Sequence, residues 1–138
     1  MSLEVGKSLL TTVALLLAAV QLWSMAEVRG LVRLFPVETR ILVKLHRWGG
    51  AAALGVVLLV GMVCLYAVFA ERYGLYTPRL QVHAVLGFLA AVVLASKVLI
   101  ANRFRHCLRF ALPLGLTAAL LLLGTFVFSA LWWFLRFG

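Results

Sequence analysis

Three histidines, His46, His83 and His106, stand at the ends of apolar stretches, and Lys97 lies within one. Imidazole at a place where a helix meets the membrane surface can hold haem iron or gate a proton. A lysine in an apolar run must either reach the nearby headgroups or meet an anionic partner. The chemistry therefore depends on which of these side chains share a level.

The elements that carry them are long and apolar. Hydrophobic residues make up 65% of the 138-residue chain, and the mean hydropathy is +1.12, more than one water-soluble core of this size can hide. A hydrocarbon layer of about 30 Å needs about 20 helical residues to cross it. Ser8–Ala26, Trp48–Ala70, Leu80–Ala101 and Phe110–Phe134 each meet that length. With helical ends added, the spans fall at about 8–26, 41–70, 80–103 and 110–135. The expectation is an all-α membrane protein, a single domain of four transmembrane helices in an up-down bundle.

Positive charge sets the orientation. Arg29, Arg33, Arg40, Lys44 and Arg47 lie between spans one and two, and Arg103, Arg105 and Arg109 between three and four. The opposite surface has Lys7, Arg72, Arg79 and Arg136. This bias places the richer loops in the cytoplasm and both termini in the periplasm of a bacterial inner membrane. The net charge of +9 sits in short turns at helix ends, so it reads as attraction to anionic lipid, and nucleic acid is set aside. Residues 27–40 form the longest irregular stretch and read as an amphipathic segment along the inner surface. Pro36 breaks that segment, Gly74 and Pro78 break the turn between spans two and three, and Pro113 falls in the first turn of span four.

Reflecting span two onto span three through residue 75 matches their depths. His46 falls level with about residue 104, near His106, whereas His83 falls level with about Ala67. His46 and His83 are then about 24 Å apart in depth and cannot share one iron. An inner site would pair His46 with His106 and use Arg47, Arg103 and Arg105 for haem propionates, with Lys97 a further propionate partner. An outer site would have His83 alone, with Met62 as a candidate second ligand. Small residues line both faces: Gly87, Ala91 and Ala95 follow His83, and Gly50, Ala53, Val57 and Gly61 follow His46. Such rows suit a porphyrin slot and plain helix packing equally. For Lys97, snorkelling towards Asn102 and Arg103 is the plain expectation. His106 has its own plain reading, as a solvated member of a basic turn.

Leu-His-Arg-Trp-Gly-Gly at the start of span two and Val-His-Ala-Val-Leu-Gly-Phe at the start of span three resemble signatures of bacterial four-helix membrane cytochromes b. That group includes quinone-linked and hydrogenase-associated cytochromes and ferric-reductase-like domains. From His46 to Leu-Trp-Trp-Phe near the end, the chain also resembles small four-span bacterial proteins of cytochrome-b-like type. The resemblance implies His46 and His83 as motif histidines. It also shows two departures: the place of a second helix-three histidine holds Lys97, and a place near the end of span two where the small family can carry histidine holds Val63.

Two functions follow as expectations. The first is a haem b electron-transfer subunit between a quinone or quinol pool and partner redox subunits in or on the membrane, without catalytic activity alone. The alternative is a haem-free anchor or accessory subunit of a larger respiratory or photosynthetic complex.

Overall fold

The computed structural model describes residues 3–32, 37–70, 77–104 and 110–137. Helix α1 spans Leu3–Val28, α2 Thr39–Ala70, α3 Pro78–Arg103 and α4 Ala111–Phe126. A π-helical turn, Val127–Leu131, carries the last span on into α5, Trp132–Phe137. Four spans are long and apolar enough to cross a membrane. The chain is an all-α, multi-pass membrane protein in a lipid environment.

Local chemistry explains the helix ends. Gly30, at φ +71°, ends α1, with Leu31 N–H donating to the Ala26 carbonyl at 2.9 Å and Gly30 N–H to that of Glu27 at 3.0 Å. This left-handed turn closes the last helical carbonyls, and glycine enters it without a Cβ penalty. The expected amphipathic segment at 27–40 is accordingly shortened. Glu27 and Val28 finish α1, while Thr39 and Arg40 open α2. Its centre, residues 33–36 with Pro36, lies outside the described residues. Thr77 caps α3 by accepting the Leu80 N–H at 3.3 Å, and Pro78 fills the first turn, where its missing N–H is harmless. Gly74 lies outside the described residues.

The helices pack as a ring in which α1 touches α2 and α4, and α3 touches α4 and α2. Short connections make neighbours antiparallel. One end gathers the end of α1, the start of α2, the end of α3 and the start of α4. We call this the arginine-rich end, after Arg40, Arg47 and Arg103. Arg47 there donates to Asn102 Oδ1 at 3.3 Å, one residue from the level that reflection through residue 75 assigns.

Alanine fills the centre. Ala14 and Ala18 of α1 meet Val57 of α2, Ala90 and Leu94 of α3, and Ala118 and Leu122 of α4. Lipid supplies no hydrophobic force between helices, so small side chains promote association by letting backbones approach. Hydroxyls in the spans satisfy themselves on the preceding turn: Thr11 donates to the Lys7 carbonyl, Ser96 to Val92 and Thr125 to Leu121, each at 2.8 Å.

Candidate functional site

Helix α1 contributes what the histidine pattern did not disclose. Its buried face runs Ser8, Thr11, Ala14, Ala18, Gln21 and Ser24, at the three- and four-residue spacing of one helical stripe. Gln21 and Ser24 lie on its last turns, beside the start of α2. Neither is an imidazole nor a cation, so ligand and charge patterns in the sequence do not single them out. The visible signal was a polar stripe in a helix otherwise rich in leucine and valine.

His46 packs against this stripe. Its Nδ1 lies 3.2 Å from the Gln21 carbonyl and 3.2 Å from Ser24 Oγ. A carbonyl only accepts, so we assign the proton to Nδ1, which leaves Nε2 as a lone pair. Ser24, fully buried, donates its own hydroxyl to the same carbonyl at 3.1 Å. The Gln21 side chain crosses to α2, where Nε2 donates to the Leu45 carbonyl at 3.4 Å. Gly49 and Gly50 make room for that crossing. A Cβ at Gly49 would overlap Gln21 Nε2, and one at Gly50 would stand 3.3 Å from Oε1. Gln21 Oε1 is buried with no hydrogen-bond partner among the described residues.

Lys97 completes the group from α3. Its side chain turns into the bundle and is only 9% exposed, so the expected snorkelling to the headgroups is not what it does. Nζ passes Gly115 of α4 at 3.6 Å from where a Cβ would stand, an ordinary contact distance. Among the described residues Lys97 has neither a hydrogen bond nor an ion pair. A cavity of about 20 Å³ lies on its deeper side, against Gln21, Gly50, Ala53 and Leu94. Another of about 20 Å³ lies on its outward side, against His46, Met25, Ala111 and Gly115. Ala53 is also the residue that depth reflection pairs with Lys97.

The remaining expected site residues are dispersed. His83 stands at the opposite end of the bundle, its Nδ1 buried and without a hydrogen-bond partner among the described residues. Met62 is 66% exposed and points out of the bundle, so nothing brings it to His83 as a ligand. Arg47 and Arg103 are exposed at the arginine-rich end. His106 and Arg105 lie outside the described residues, and so does the expected His46–His106 pairing.

A haem b, which the cytochrome resemblance implies, needs a flat slot and axial ligands facing one iron. The residues described do not fit one inside the bundle. His46 and His83 occupy opposite ends, Lys97 fills the interior beside His46, and each adjoining cavity has room for about one water. Of the two small-residue rows, the one after His46 is buried through Gly50, Ala53 and Val57. That row packs against its neighbours and opens no slot. One feature of His46 does suit a metal: an Nδ1–H held by a backbone carbonyl is the orientation of a ligating imidazole.

No curated protein and no solved structure matches the chain. A family model matches residues 2–138, nearly the whole of it, and the chain belongs to the Family of unknown function (DUF6529).

Proposed function

We propose that this chain is a haem-free anchor or accessory subunit of a larger respiratory or photosynthetic complex in a bacterial inner membrane. The observation that carries the reading is Lys97. It occupies the place where the cytochrome resemblance expects a second helix-three histidine, and its side chain lies inside the bundle beside His46. A lysine and water-sized gaps there replace an imidazole and a porphyrin slot. The basic residues Arg40, Lys44, Arg47 and Arg103 would face the cytoplasm and both termini the periplasm.

A second reading retains specific support. The Nδ1–H of His46 on the Gln21 carbonyl leaves Nε2 oriented as in a metal-bound imidazole. A haem b electron-transfer subunit serving a quinone pool would use it, with a second ligand from His106 or from another subunit. The propionates would then rest on the exposed arginines.

One measurement separates the two: the haem-to-protein ratio and reduced-minus-oxidised spectrum of chain purified from haem-replete membranes. We expect far less than one haem per chain, and a tagged chain migrating with redox subunits on native gels. A b-type band at one haem per chain, abolished in His46→Ala, would overturn the haem-free reading. A chain that migrates by itself in native membranes would overturn the anchor role.

A further inference from the structure

Lys97 is only 9% exposed, six residues before the Arg103 end of α3, and the polar atoms of α1 and α2 left open beside it are acceptors. From α1, Gln21 Oε1 is buried without a partner among the described residues. From α2, His46 has its Nδ1 proton committed to the Gln21 carbonyl, so its other nitrogen is a lone pair. From α4, the neighbours are Gly115, Ala118 and Leu122. An ammonium in such a place calls for a solvating partner. The two cavities flank Lys97, one towards Gln21 and one towards His46.

The donor and acceptor types restrict what these cavities take. An anion would accept from Lys97 but face the lone pairs of Gln21 Oε1 and His46. A metal cation would meet Lys97. A volume of about 20 Å³ is too small for an organic hydroxyl compound. A water molecule accepts from Nζ with one lone pair and donates to Gln21 Oε1 or to His46, satisfying both sides.

We propose that this half of the bundle is a hydrated lysine site. One water links Lys97 Nζ to Gln21 Oε1 on the deeper side, and another links it to His46 on the side of the arginine-rich end. Water from that surface thereby reaches Lys97, about 9 Å along α3 from Arg103. The assignment needs the second nitrogen of His46 clear of iron and so rests on the haem-free reading. Its test is made on protein whose haem content has first been measured as nil.

The full chain, labelled with ¹⁵N at its lysines Lys7, Lys44 and Lys97, is placed in lipid nanodiscs, and magnetisation transfer from water to each side chain is read by NMR. The Lys97 signal is identified by its disappearance in Lys97→Met. We expect direct water contact at Lys97 in the unaltered chain. Gly115→Ala adds a methyl in ordinary contact with Nζ and takes space from both cavities. Gln21→Leu removes the acceptor. Each is expected to abolish a water contact while the backbone amide spectrum stays native, and should Gly115→Ala disturb the fold, Gln21→Leu decides. No water contact at Lys97 in the unaltered haem-free chain, or contact undiminished in natively folded variants, overturns the proposal.

Discussion

The two ends of the bundle each hold a histidine near the start of a span, and the two are treated differently. At the arginine-rich end, His46 is held at Nδ1 by Gln21 and Ser24, and three helices converge on Lys97. At the other end, the Nδ1 of His83 is buried without a hydrogen bond among the described residues. The charges nearby are turned to aromatic faces: Arg79 lies 5.1 Å and Arg136 5.8 Å from the Trp132 ring centre. Similar motif contexts thus yield one imidazole oriented by its neighbours and one that the described residues leave unpaired. What separates them is the neighbouring helix: α1 offers His46 the Gln21 carbonyl and the Ser24 oxygen within 3.2 Å, and the described residues offer His83 Nδ1 no such contact.

The sharpest way to break this contrast is to crowd one end. Gly49→Leu drives a side chain into Gln21, and we expect a loss of about 1–3 kcal/mol of unfolding free energy in detergent titrations. Gly87→Leu, in the other half and facing open space, should leave the midpoint unchanged. A smaller effect is expected on replacing each histidine by phenylalanine. His46→Phe forfeits two polar contacts and should cost about 1–2 kcal/mol, whereas His83→Phe removes an unpaired buried atom and should fall within about 0.5 kcal/mol of neutral. Equal losses at both would mean that His83 has a partner equivalent to Ser24 and Gln21. Smallest of all, Arg79→Gln removes one cation from the Trp132 face, for about 0.5 kcal/mol. A change in tryptophan fluorescence with nearly unaltered stability would report it.

Composition and span length disclosed the four helices, because an apolar chain in lipid has few ways to satisfy its backbone. Depth was legible too: Arg47 meets Asn102, and Lys97 shares a cavity with Ala53, as reflection through one turn requires. Reflection gives a level along the membrane normal but no direction around the helix. Level alone therefore suggests the surface for Lys97, whereas its side chain turns into the interior. Gln21 and Ser24 were legible only as a periodic polar stripe, whose importance depends on which helix lies opposite. The irregular stretch is shorter than 27–40 because α1 continues to Val28 before Gly30 ends it and α2 begins at Thr39.

The π turn at Val127–Leu131 changes how this chain should be compared with its family. Buried positions along the last span run Ala118, Leu122, Thr125 and then Ala130, so the final return to the core is one residue longer than an α-helix takes. Relatives without that extra residue would present the same faces one position earlier. An alignment that forces Trp132 and Trp133 into gapless register across this turn would pair a core residue with a lipid-facing one.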